Sequence, residues 1–382
     1  MSEAVDWRAA ERRARALVRP GPRATDAERR ALVADLREAA RIAPGLVAEV
    51  TGLHAAAATA AQGPVYVLDR PGWARATIVS AADLLGDALD PTTPAKARWQ
   101  GEQFGVLLAV VAGKILGQYD PLGGRLLLVA PNVLHLEREL DADAKDLRLW
   151  VCLHEQTHAV QAAAAPWLAD ELRGRARRIT HALESDTAAG LGERVERLRT
   201  LVLGTGAEAG DASDRDAATA TSGGALLDSL LSTEERREVG DLLALISLLE
   251  GHAEVVMDSV GPARIPSVIR IRRQVEARRS GGGVIDQIFR RLLGLDGKIA
   301  QYRAGTRFVR QVVAAVGHDG LNLVWRRPEH LPTAQELADP AAWVARVVHR
   351  RGPDGAADGG PDGAADGGPG GAAGYGVDDA TP

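Results

Sequence analysis

The sequence predicts a mainly α protein of the α+β class, with a small β-sheet and a disordered C-terminal tail. Three observations lead there. Apolar residues recur at helical spacing along most of the chain. Two short stretches, "PVYVLDRPGW" (Pro64 to Trp73) and "GGRLLLVAPN" (Gly123 to Asn132), read as strands bounded by turn residues. At the far end "GPDGAADG" occurs at 352–359 and again at 360–367. Such a repeat has too little apolar mass to bury a core, and collagen would need Gly at every third position. Residues 1–350 are expected to form one domain, with a flexible insertion at 204–224, and residues 351–382 a disordered tail.

The elements follow in order. Asp6 is an N-cap for a helix from Trp7 to about Val18, closed by "RPGP" at Arg19 to Pro22. "TDAERRALVADLREAARIA" opens at Thr25 with a capping pattern and repeats apolar residues at helical spacing. After the strand at Pro64, residues 74–89 and 97–117 read as helices, and the second strand follows at Gly123. A further helix begins at Asp141 or Asp143 and ends at Pro166. Next comes the Arg-rich "LADELRGRARRITHAL" and then the 204–224 segment, which lacks large apolar residues. Ser232 and Glu235 form a capping box for a long helix that passes Glu250 and closes at "GP" after Val260. Arg-rich helices continue to about residue 315, and "WVARVV" (Trp343 to Val348) ends the folded part.

Composition narrows the function. The chain has 382 residues, 46% hydrophobic and 25% charged, which suits a globular domain with a substantial core. A net charge of −5 argues against a nucleic-acid partner. The single cysteine, Cys152, cannot form an intrachain disulfide. The first twenty residues carry charges throughout and lack the apolar core of a signal peptide. The longest apolar run, from Phe104, is broken by Lys114 and is too short to span a bilayer. A cytoplasmic protein without a membrane partner is expected. The oligomeric state is not specified.

The stretch "WVCLHEQTHAVQ" (Trp150 to Gln161) carries the chemistry. His154 and His158 are four apart, so on a helix they lie about 40° apart around the axis and can share one ion. Glu155 adjoins the first histidine, where a carboxylate can take a proton from a water held by zinc (Zn2+). A catalytic zinc needs a third protein ligand, and "LISLLEGHAEVVMDSVG" offers one. Glu250, Glu254 and Asp258 make one acidic stripe on an otherwise apolar helix, and burying three carboxylates would call for a cation. Glu250 is preferred as the ligand, because Gly251 would let that helix approach the metal; Glu254 is the alternative. Glu254 or Asp258 would then hold a ligating histidine from behind. His252 points about 200° away from Glu250 and is read as structural.

Weaker features have plainer readings. "GGRLLLVAPN" is either an ordinary sheet strand or an edge strand that pairs with an extended substrate. Tyr119 sits in a turn-like "GQYDPLGG" and is read as packing. Cys152 is an inert buried thiol, and Arg270, Arg272 and Arg273 form a solvated face. "SGGG" at Ser280 to Gly283 lacks the Lys-Ser/Thr of a phosphate loop.

The chain resembles an actinobacterial family of zincin-like hydrolases associated with biosynthesis of the deazaflavin coenzyme. The resemblance rests on "VDWRAAERRARAL", "DRPGWARATIVS", "ILGQYDPL", "GRLLLVAPN", "LRLWVCLHEQTHAVQ", "LLEGHAEVVMDSVG" and "LPTAQELADPAAWVARV", which together span about 5–348. It implies a zincin-like metallopeptidase fold, with His154 and His158 on zinc and Glu155 as general base. "EGHAE" is similar to the pattern of zincins whose third ligand is glutamate. The implied reaction is hydrolysis of a peptide or amide bond. The alternatives are an inactive metal-binding scaffold or regulator of the same fold, and a hydrolase of a metabolite related to the deazaflavin coenzyme.

Overall fold

Caps written in the sequence set many of the helix boundaries. The computed structural model describes residues 4–86, 89, 91–185, 233–279 and 300–349. The Asp6 side chain accepts from Ala9 N–H and opens α1 (Trp7–Leu17). Thr25 and Glu28 form a reciprocal capping box for α2 (Asp26–Thr51), which stops at Gly52, φ 74°. The short α3 (His54–Ala60) leads into β1 (Val65–Leu68). Asp69 then accepts from Gly72 N–H and starts α4 (Arg70–Leu85). The expected helix over 74–89 therefore begins earlier: "RPG" is its first turn, where Pro71 has no intrahelical hydrogen bond to lose.

Helix α5 (Pro94–Ala112) ends before the expected 117, because Gly117–Asp120 pairs with a neighbouring strand as β2. Strand β3 (Arg125–Val129) gives way to α6 (Ala130–Leu140), again with a proline in the first turn. Asp141 closes α6 in the left-handed region at φ 46°, and Asp143 caps α7 (Ala144–Ala164), accepting from Asp146 N–H. The remaining helices are α8 (Leu168–Ser185), α9 (Thr233–Arg264), α10 (Val268–Arg279) and α11 (Ala300–Leu321). Helix α9 runs past Val260, across a break at Gly261, to Arg264. Two 3-10 turns (Asn322–Trp325, Pro328–His330), α12 (Ala334–Ala338), α13 (Pro340–Val344) and a π turn (Ala345–His349) complete the described fold. Ser232, the 204–224 segment, "SGGG" and the 351–382 repeat lie outside the described residues.

The three strands run in the order β1-β3-β2, with β1 parallel and β2 antiparallel to β3. The "GRLLLVAPN" strand is thus central: Leu126, Leu127, Leu128 and Val129 are all buried, as an unbroken apolar run demands when both faces are covered. The strands at the two edges are β1 and β2, and Tyr119 of β2 donates its main-chain N–H to Glu155 of α7.

Of four apolar clusters among the described residues, two fix the helices around the site. One joins α2, β3, α7 and α9 through residues such as Leu36, Val47, Val151, Leu153, Val256 and Met257. The other gathers Leu245, Leu248 and Val255 of α9 with Phe308, Trp325 and Trp343. Burying each of these large side chains stabilises the fold by roughly 1.5–3 kcal/mol, so α7 and α9 are well fixed where the clusters meet. Buried Arg148 adds a polar tie, bonding to Asp35 of α2 at 2.6 Å and to Glu137 of α6 at 2.9 Å. Helices α9 and α11 cross with little between them: a Cβ on Gly251 would run into the backbone of Gly305 and Thr306, and one on Gly305 into Ser247. Gly251 therefore serves a helix crossing rather than an approach to the metal, contrary to expectation.

Candidate metal centre

The 3.6-residue period of α7 puts His154 and His158 one above the other, facing α9. Their Nε2 atoms are 3.2 Å apart. Glu250 of α9 comes between them: Oε2 lies 3.5 Å from His154 Nε2, and Oε1 lies 3.5 Å from His158 Nε2. Ligand atoms about 2.0–2.1 Å from a tetrahedral zinc are separated by ~3.3 Å, close to these spacings. Among the described residues, this trio is the group of ligand-type side chains whose atoms all lie within 4.8 Å of one another. The three side chains are 16–27% exposed, which leaves solvent a way in, as a catalytic rather than a closed structural site requires.

The other ring nitrogens are held from behind. His154 Nδ1 is 3.3 Å from Met257 Sδ. His158 Nδ1–H donates to Gln161 Oε1 at 2.8 Å, an assignment fixed by the rest of the amide. Gln161 Nε2 donates to the Leu249 carbonyl and to His252 Nδ1, each at 2.9 Å. His252 is fully buried against the Trp325 ring, and burial, then the neighbouring His318 and His158, push its pKa down to about 3. It is the structural histidine expected of it. Neither Gln161 nor Met257 was anticipated. For Gln161 the available signal was its position three residues after His158, on the same helical face.

Glu155 is 8% exposed and turned toward the sheet. Its Oε2 accepts from Tyr119 N–H at 3.1 Å. Gly117 lies against its methylenes, where a Cβ would meet Glu155 Cγ at 2.6 Å. Burial holds the Glu155 carboxyl above its usual pKa range, helped by Glu250; the two histidines and the Tyr119 N–H oppose the shift. Tyr119 thus reaches Glu155 through its main chain.

The acidic stripe divides. Glu250 alone of the three turns to the histidines. Glu254 accepts from Thr306 Oγ1 at 2.6 Å and from Arg272 at 3.0 Å. Asp258 pairs with Arg272 and with Arg310, the latter at 2.6 Å. The expectation that Glu254 or Asp258 braces a histidine is therefore corrected, since arginines of α10 and α11 neutralise both. So is the reading of Arg272 as part of a solvated face; Arg270 and Arg273 are exposed, as that reading expects, and Arg270 also donates to the Asp141 carbonyl. Cys152 is fully buried, and burial pushes its thiol pKa up, so it is the inert thiol expected.

A family model described as zincin-like metallopeptidase matches residues 5–344. The chain belongs to the zincin-like metallopeptidase family. A solved structure from Chloroflexus aurantiacus, known as "a putative hydrolase with a novel fold", is 29% identical, with a TM-score of 0.63. The match covers 91% of this chain and 100% of that one. No curated protein matches. Membership of the zincin-like metallopeptidases implies a metal, typically zinc, and a peptide substrate. Two imidazoles and a carboxylate are the donors zinc favours, and the braced Nδ1 atoms direct both Nε2 atoms inward, so the residues present fit that ion. No helix among the described residues is long and apolar enough to cross a membrane.

Proposed function

We propose that this zincin-like protein is a zinc-dependent hydrolase of peptide or amide bonds, in which His154, His158 and Glu250 hold the ion and Glu155 is the general base. The observation that carries the reading is the convergence of Glu250 on both Nε2 atoms, from a helix far away in sequence. Bound zinc supplies Lewis acidity, polarising a carbonyl and bringing the pKa of water toward neutrality.

The chain's own groups do the rest. Glu155 stands next to the ligand pair with a raised carboxyl pKa, as suits a group that must take a proton from water and return it to a leaving amine. Tyr119 N–H steadies one carboxylate oxygen, and strand β2 keeps the acid from swinging away. A glutamate-tailed metabolite of the deazaflavin type falls within the same amide class, and a deletion strain with normal coenzyme would exclude it.

The test is metal analysis of protein purified without chelator, paired with hydrolysis of a fluorogenic peptide library. Near one zinc per chain and turnover abolished by chelator are expected. A chain that never holds zinc would sink the proposal; zinc without turnover would favour the inactive scaffold.

A further inference from the structure

Outside the ligand trio, Gln161 is the buried polar side chain with most at stake. It is fully enclosed, and all three of its polar contacts are specific: Oε1 to His158 Nδ1, Nε2 to the Leu249 carbonyl, and Nε2 to His252 Nδ1. Flipping the amide would set its oxygen against the Leu249 carbonyl, so one orientation is allowed. That orientation dictates two tautomers. With the amide oxygen facing it, His158 must carry its proton on Nδ1; with the amide N–H facing it, His252 must be bare at Nδ1. Leu249 is the residue before Glu250, so the same amide also ties α7 to α9 beside the carboxylate ligand.

We propose that Gln161 is the positioning residue of the metal centre: it fixes His158 as the Nδ1–H tautomer, leaving Nε2 to the ion, and pins the Glu250 helix to the histidine helix. The inference rests on the zinc reading for its consequence, while the tautomer itself is a property of the metal-free chain. A carboxylate commonly plays this part behind a ligating histidine. Here a neutral amide does, and its two N–H groups let it bind a second helix at the same time. His252 acts one step further back, giving the amide nitrogen a place to point.

The experiment compares wild type with Gln161→Met and His252→Leu. Nitrogen NMR of the metal-free proteins reads the His158 tautomer, and competition against a chromophoric chelator reads affinity for zinc alone. Wild type should show His158 protonated on Nδ1. Gln161→Met should show a tautomer mixture and bind zinc about 10- to 100-fold more weakly. His252→Leu should shift both readouts in the same direction by less, which covers the case in which Gln161→Met does not fold. Unchanged tautomer and zinc affinity in a folded Gln161→Met, or in His252→Leu if that is the variant that folds, overturn the inference while leaving the zinc reading intact. A wild type that carries the expected tautomer but binds no zinc instead overturns the zinc reading and leaves the tautomer assignment standing.

Discussion

The Tyr119 main-chain N–H donates to Glu155 Oε2 at 3.1 Å, and Gly117, two residues earlier on the same strand, lies against the Glu155 side chain. The acid of the HExxH helix is thus held by a β-strand and not by its helical neighbours. A backbone donor keeps its place whatever side chain occupies position 119, so replacing Tyr119 by Phe should leave this support intact.

Glu155→Gln should keep zinc and fold while lowering turnover at least about 100-fold, the usual scale for a lost general base. Stability carries a sign. Burial raises the Glu155 pKa, so the folded chain binds more protons than the unfolded one. In metal-free protein this acid contributes stability below its unfolded pKa and loses it as pH rises through the folded value. Metal-free Glu155→Gln should therefore melt no lower than metal-free wild type at neutral pH, by calorimetry.

Ligand roles separate in a short series. His158→Ala and Glu250→Ala should each lose bound zinc by metal analysis. Glu254→Gln and Asp258→Asn should keep it, because Arg272 and Arg310 already hold those carboxylates. The Glu254 side chain is 43% exposed, so weakening its ion pair should lower stability by less than ~1 kcal/mol. Zinc loss in Glu254→Gln with retention in Glu250→Ala would reverse the assignment.

Gly251→Ala should lower both stability and zinc affinity. The added methyl collides with the Gly305 backbone, and overpacking of this kind is worth about 1–3 kcal/mol. Denaturant titration gives the first effect and chelator competition the second. Gly45→Ala makes a control, since a Cβ there meets nothing within 4 Å.

The C-terminal turns should respond to acid. Burial alone would raise the Glu336 pKa, but hydrogen bonds from Arg346 and Thr333 outweigh it and bring the net value down. A depressed carboxylate contributes stability above its unfolded pKa and loses it as pH falls through the folded one. Arg346 also donates to the Glu329 and Leu331 carbonyls, so it clasps the last described segment. Arg346→Met should make acid unfolding begin at higher pH, followed by Trp343 fluorescence.

How much was legible depended on the range of the interactions involved. The pairing of His154 with His158 follows from helix period alone, and an acid on an apolar helix pointed to Glu250 before any contact was known. The argument from three buried acids failed for Glu254 and Asp258, because their counter-charges come from Arg272 and Arg310 on other helices, which no local pattern reveals. Strand β2 read as a turn, since "GQYD" has little intrinsic strand preference and becomes one by pairing with β3. Gly251 is a point of close approach, but to the backbone of Gly305 and not to the metal as expected, and that partner is a tertiary fact.

Helix α9 feeds both apolar clusters, α7 feeds the first and ends against the second, and the histidine–glutamate trio lies where the two helices face one another. A cation seated there would act as a rivet through two plates that the polypeptide joins only by a long detour, since Gln161 and Leu249 are 88 residues apart along the chain. Stripping it should then be felt as slackness throughout both plates, so that the whole body becomes easier for a protease to cut, and not merely as an empty socket.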